Sequence, residues 1–265
     1  MTVRITSLVA GTVLLGILAA PSHATPFFHF LNTEAASSSA FAGRIDGVDA
    51  AGTTRTTSLA DIAPSPFRNI AAWKGFATDG KYYYLLNTDG GSAYRGHIDR
   101  VNLDGTGRTP IADIEPSPFS NVRDWKGFAT DGFHFYLLNT ENPGGFGGQI
   151  DRINMDGTGR VKFADVAPSP FNSIASWKGF ATDGLHFYYL NTDGGSGYLG
   201  QIDRTDMDGT NRVQVADVDP SLFSNIGAWK GFAVPSVIPE PSTFLIWALG
   251  VLGLGWYGWQ RRRRS

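Results

Sequence analysis

The sequence has no cysteine. That excludes thiol nucleophiles, thiolate metal sites and disulfide staples, so the fold must be held by its core alone. It has five histidines, His23, His29, His97, His134 and His186, and no Gly-x-Ser-x-Gly elbow. Basic charge is scarce away from the two ends. Without Arg4, Arg261 to Arg264 and Glu240, 17 of the 22 Lys+Arg and 23 of the 24 Asp+Glu remain, a net of −6. That balance argues against binding nucleic acid or anionic lipid through a broad basic face.

The ends are where the long apolar runs lie. "MTVRITSLVAGTVLLGILAAPSHA" has one early cation, Arg4, then an apolar stretch from Leu8 to Ala20, closing on Ser22-His23-Ala24. This pattern predicts a secretory signal peptide over residues 1–24, cleaved after Ala24. At the other end, Phe244 to Trp259 is 16 residues without a charge. As a helix it would span about 24 Å at roughly 1.5 Å per residue, short of the 20 or so residues a bilayer core takes. The flanking Ser242 and Thr243, the interfacial aromatics Trp247, Trp256, Tyr257 and Trp259, and the snorkelling arginines extend it to a transmembrane helix of about 243–260. Arg261, Arg262, Arg263 and Arg264 would hold its end in the cytoplasm. A buried C-terminal helix is the competing reading, and four arginines suit a core poorly.

Pro239-Glu240-Pro241, then Ser242-Thr243, an apolar helix with scattered glycines and a basic terminus resemble the PEP-CTERM sorting signal. The resemblance covers residues 237–265. It implies recognition by an exosortase, a membrane protease, in a Gram-negative bacterium. The protein would be exported through the inner membrane, anchored transiently by its tail, and then released to the cell surface or the extracellular space. The resemblance implies nothing about what the exported part does.

Residues 25–236 form a repeat domain. "WKGFA" begins at Trp73, Trp125, Trp177 and Trp229, 52 residues apart each time. "IDR" begins at Ile98, Ile150 and Ile202, "LNT" recurs at Asn32, Asn87, Asn139 and Asn191, and "PSPF" or "PSLF" begins at Pro64, Pro116, Pro168 and Pro220. A period this long points to a propeller or an array. Within a unit the pattern is β. "GFATDGKYYYLLNT" reads as two strands joined by a two-residue Asp79-Gly80 hairpin. "GHIDRVNLDG" reads as a third strand, alternating Ile98, Arg100 and Asn102 with Asp99, Val101 and Leu103. "RTPIADI" reads as a shorter fourth, with Pro110 tolerable on an outer edge. "IDRVNLDGTG" is loosely similar to the strand-turn of propellers of the low-density-lipoprotein-receptor type, without the tyrosine-tryptophan-threonine-aspartate signature of that family.

The expected fold is all-β, a four-bladed propeller. The domain begins with a second strand, "FFHFLNT", and stops after a first strand, "WKGFAVP", so each end supplies what the other lacks. Pairing them closes the ring and removes exposed edges. A linear solenoid would need caps, which the sequence lacks. Aromatics such as Phe76, Tyr82, Tyr83, Tyr84, Phe128, Phe135 and Tyr136 should fill the wedges between blades.

Candidate chemistry is thin. The pairs Trp73-Lys74, Trp125-Lys126, Trp177-Lys178 and Trp229-Lys230 form the candidate ligand ring, with indoles to stack on sugars and ammoniums to meet carboxylates. The same repetition suits tryptophans that anchor blades and lysines that are merely solvated. Asp99, Asp151 and Asp203 precede Arg100, Arg152 and Arg204, but strand neighbours point apart, so these are not ion pairs with themselves. Asp61, Asp113, Asp165 and Asp217 read as turn formers. Asp104, Asp156 and Asp208 lie in "DGT" turns. A calcium loop is not expected there, because Arg100 stands where an oxygen is needed. No catalytic residue, metal ligand or cofactor is assigned. The expected role is a binding or structural module, with extracellular polysaccharide as the candidate partner. The alternative is an exported enzyme acting on polysaccharide.

Overall fold

The computed structural model describes residues 28–32, 43–62, 73–87, 96–114, 125–139, 148–166, 177–191, 200–218 and 229–235. The signal segment with Ala24, the sorting motif Pro239-Glu240-Pro241 and Arg261 to Arg264 lie outside them. Among the described residues, sixteen strands make four antiparallel sheets of four. The first blade orders β16 (Trp229–Ala233), β1 (Phe28–Asn32), β2 (Gly43–Val48) and β3 (Arg55–Ile62). The second runs β4 (Trp73–Thr78), β5 (Tyr82–Asn87), β6 (Gly96–Asn102) and β7 (Thr109–Ile114). The third runs β8 (Trp125–Thr130), β9 (His134–Asn139), β10 (Gly148–Asn154) and β11 (Val161–Val166). The fourth runs β12 (Trp177–Thr182), β13 (His186–Asn191), β14 (Gly200–Asp206) and β15 (Val213–Val218). This is the four-bladed propeller that the 52-residue period predicts.

The ring closes through the termini of the domain. β16 pairs with β1, Phe232 opposite Phe30 and Trp229 opposite Asn32. Each inner strand packs on the next around the axis, β4 on β8, β8 on β12, β12 on β16 and β16 on β4. A glycine permits that approach. A side-chain methyl at Gly75 would run into Phe128, at Gly127 into Phe180, at Gly179 into Phe232 and at Gly231 into Phe76. The G of "WKGFA" is thus where backbone meets the next blade.

The core divides into four clusters, one per blade interface. Aromatic pairs run the same way round: Tyr84 on Phe135, Tyr136 on Phe187, Tyr188 on Phe28, and His29 on Tyr83. Of the seven aromatics expected in the wedges, all but Tyr82 are buried; Tyr82 is half-buried and carries the Arg100 guanidinium over its ring at 4.4 Å. The third strand departs from simple alternation. Ile98 and Asp99 are both buried, as are Ile150 and Asp151, because neighbouring blades cover both faces of each sheet.

Two local expectations need correction. The inner hairpin has a three-residue loop, Asp79-Gly80-Lys81, with Gly80 at φ 82°. Asp79 Oδ1 accepts from the N–H groups of Lys81 and Tyr82, and Oδ2 accepts from the Tyr84 hydroxyl at 2.8 Å. Asp131 and Asp183 repeat the arrangement with Tyr136 and Tyr188. An Asx turn, which needs the carboxylate's reach, replaces the tighter turn. Second, Asp61, Asp113, Asp165 and Asp217 are not turn residues. They stand exposed near the ends of the outer strands. Gly105, in a turn of the second blade, packs on the Asp61 carbonyl, and Gly157, Gly209 and Gly52 pack likewise on Asp113, Asp165 and Asp217. Each outer turn therefore leans against the preceding blade.

Candidate functional site

Strand direction assigns everything to one of two ends. The inner strands β4, β8 and β12 end at the three-residue hairpins, and β16 ends at the same level of the ring. They begin, at the opposite end, with the tryptophan-lysine pairs, so Trp73, Trp125, Trp177 and Trp229 sit at one register around the axis. The side chains of the eight candidate residues lie outside the described set; their backbone does not.

That backbone carries a common irregularity. Trp73 pairs with Asn87 and Gly75 with Leu86, so Lys74 is skipped. Lys126 is skipped between Trp125 and Gly127, Lys178 between Trp177 and Gly179, and Lys230 between Trp229 and Gly231. A bulge sets two residues against one and re-aims a side chain. It relaxes the strict alternation that would otherwise separate tryptophan from lysine.

Opposite each tryptophan is an asparagine with essentially no exposure, Asn87, Asn139, Asn191 and Asn32. Four buried amides ring the same end. In the sequence alone these asparagines mark the repeat and nothing more. The available signal was a polar residue closing an apolar run such as "YYYLLN" in every copy.

The acidic motif is structural. Asp46, Asp99, Asp151 and Asp203 are buried, and each accepts from an arginine nine residues on: Arg55, Arg108, Arg160 and Arg212. The arginine beside the aspartate does something else, as Arg100 over Tyr82 and Arg152 over Phe163 show. Burial raises the Asp203 carboxyl above its ordinary value despite Gln201 and Arg212, and lowers the Arg212 guanidinium despite Asp203. Both partners are drawn toward neutrality, as desolvation of an ion pair requires.

A second donor reaches each aspartate from two residues earlier, and its type varies: Arg44, His97, and glutamine in the last two blades, Gln149 and Gln201. His97 also meets Asp113 through Nδ1 at 2.6 Å. The "DGT" carboxylates of Asp104, Asp156 and Asp208 are taken up by the next threonine, whose hydroxyl and N–H hold them below the ordinary range. In the first blade Asp49 takes this role with Thr53. Among the described residues, no group of three or more His, Cys, Asp or Glu is placed to hold a metal ion.

No protein-family model and no curated protein matches the chain. Among solved structures, the chain is similar to an uncharacterized protein of Listeria monocytogenes EGD-e, at 12% identity and a TM-score of 0.26, over 53% of this chain and 40% of that one. It is also similar to a structure from a mechanistic study of two prolyl endopeptidases, at 13% identity and a TM-score of 0.34, over 72% of this chain and 29% of that one. The chain thus spans well under half the length of either. These likenesses carry no functional argument.

Proposed function

We propose that the chain is an exported surface or matrix protein of a Gram-negative bacterium, sorted by its PEP-CTERM tail, whose propeller binds an acidic polysaccharide. The observation that carries the binding half is the bulge at the lysine of "WKGFA" in all four blades. A bulge there relaxes strand alternation, so that the tryptophan and lysine of one pair can serve the same ligand. Four equivalent tryptophan-lysine pairs at one end of an axis match a repeating polymer, with indoles for the sugar faces and ammoniums for the carboxylates. The net of −6 in the domain makes local cationic contacts, rather than a general basic field, the source of specificity. The sorting half is supported by the order of signal segment, Pro239-Glu240-Pro241, apolar run and arginines.

The test is titration against acidic and neutral glycans at low and high salt. The protein is compared with a form in which Lys74, Lys126, Lys178 and Lys230 are glutamine. Binding should be selective for the acidic polymer, should weaken with salt, and should vanish in the variant. Equal binding by both forms, or none by either, contradicts it.

A further inference from the structure

The hairpin end of the ring, opposite the tryptophan-lysine end, carries the two most exposed large apolar side chains among the described residues. Phe133 is 68% exposed and Leu185 72%. Both occupy the third position of an inner hairpin loop, in adjacent blades. The two loops adjoin: a methyl on Gly184 would stand 3.9 Å from Asp131 Cβ. Neither tip is loose. Asp131 and Asp183 each accept two N–H groups of their own loop and a tyrosine hydroxyl. The Asp131 and Asp183 carboxylates are thereby taken up inside their own turns, and the exposed carboxylates of this end, Asp104, Asp156 and Asp208, stand one strand pair further out, in the β6–β7, β10–β11 and β14–β15 turns at the rim. In the second blade the same position is Lys81, whose ammonium lies 5.1 Å from the Tyr82 ring.

The first blade has no hairpin at this position. Instead β16 ends here at Ala233 and the chain departs through Val234 and Pro235, while β1 begins here at Phe28. Nine residues, Pro235 to Thr243, separate the ring from the apolar run at Phe244. Fully extended, they reach about 30 Å at roughly 3.3 Å per residue, about the span of a small domain.

We propose that this face lies against the lipid bilayer while the tail is anchored, with Phe133 and Leu185 seated at the interface and Lys81 at headgroup level. The inference rests on the anchored-tail reading above. It gives that reading an orientation: the tryptophan-lysine end faces outward, toward extracellular polymer.

The absence of cysteine makes single-cysteine labelling clean. Full-length protein is reconstituted in phosphatidylethanolamine–phosphatidylglycerol vesicles. An environment-sensitive fluorophore is placed by Phe133→Cys, Leu185→Cys, Lys81→Cys or, as control, Lys162→Cys on the outer strand. Probes at 133, 185 and 81 should shift to shorter wavelength and be quenched by a lipid-borne quencher, and the probe at 162 should not. Adding Phe133→Ser and Leu185→Ser should abolish quenching at 81. Protein that floats with the vesicles while the tip probes stay in water overturns the docking and leaves the anchor standing. Persistent quenching at 81 in the serine variant overturns the role of the two tips. Protein that does not float at all overturns anchor and docking together.

Discussion

Gly231 of the last strand packs against Phe76 of the second blade, with room for no side chain: an added methyl would stand 2.5 Å from Phe76 Cβ and 2.8 Å from its backbone nitrogen. This contact joins residues 155 positions apart and is the seam where the ring shuts. The equivalent seams Gly75–Phe128, Gly127–Phe180 and Gly179–Phe232 each join residues 53 positions apart, so Gly231 differs only in the length of chain its contact closes. A Gly231→Val change should cost about 3 kcal/mol or more through overpacking against backbone that cannot yield. In a closed ring the loss is shared. Hydrogen exchange at His134 to Leu138, in the third blade across the ring, should quicken along with exchange in β1; protection unchanged there would mean that the blades stand independently.

His29 takes the place that Tyr84, Tyr136 and Tyr188 hold in the other blades, and its partner Tyr83 takes the place of Phe135, Phe187 and Phe28. The first blade has no hairpin aspartate to receive a tyrosine hydroxyl, and the pair instead meets through His29 Nδ1 and the Tyr83 hydroxyl at 3.3 Å. Burial lowers the histidine from 6.5 to about 4 and raises Tyr83 to about 12. The folded state favours neutral imidazole, so the unfolded chain binds the extra proton between those values. Stability is therefore complete above pH 6.5 and declines as the pH falls toward 4, by up to about 3 kcal/mol. Urea denaturation at stepped pH checks this. The double variant His29→Phe with Tyr83→Phe should lose this component of the slope.

The buried pair of Asp151 and Arg160 should show strong coupling. Arg160→Met alone strands a carboxylate that is 2% exposed and should cost about 3–5 kcal/mol. Asp151→Leu with Arg160→Met should cost much less than the sum of the two single changes. A double-mutant cycle in denaturant measures it, and additive losses would show that the pair is not the structural unit described.

If the tail is a sorting signal, Pro239→Ala with Pro241→Ala should leave a longer, membrane-retained form. Immunoblots of membrane and released fractions check this; processing like that of the unaltered protein would remove the sorting reading.

The period made the architecture legible before any coordinates. Repetition of "WKGFA" and "IDR" fixed four units, and the incomplete first and last units indicated closure. What pattern could not supply was three-dimensional company. Asp99 looks like the partner of Arg100, but a strand sends neighbours to opposite faces, and the true partner, Arg108, returns across a turn. Asp79-Gly80 looks like a two-residue hairpin, but the carboxylate's bonds to Lys81, Tyr82 and Tyr84 favour a longer loop. One blade also departs from the period: an extra residue in β3, Ser58 at φ 57°, gives its N–H to Asp46. The bulge at each lysine was invisible, because register slips are set by the neighbouring strand. The buried asparagines were visible and passed over, since a polar residue repeated in an apolar strand marks a buried amide as much as a boundary.

The central claim is that four equivalent tryptophan-lysine pairs act together on one polymer. The most direct measurement is affinity for a long acidic polysaccharide, and for a short oligomer of the same repeat, as lysines 74, 126, 178 and 230 are changed to glutamine one after another. One exposed contact is worth about 1 kcal/mol or less, and linked contacts multiply through effective concentration. The account predicts a small, similar loss at every step for the oligomer and a compounding loss for the polymer, with the two affinities converging when one lysine remains. A polymer affinity that is indifferent to the number of lysines, or that falls entirely at one of them, would contradict it.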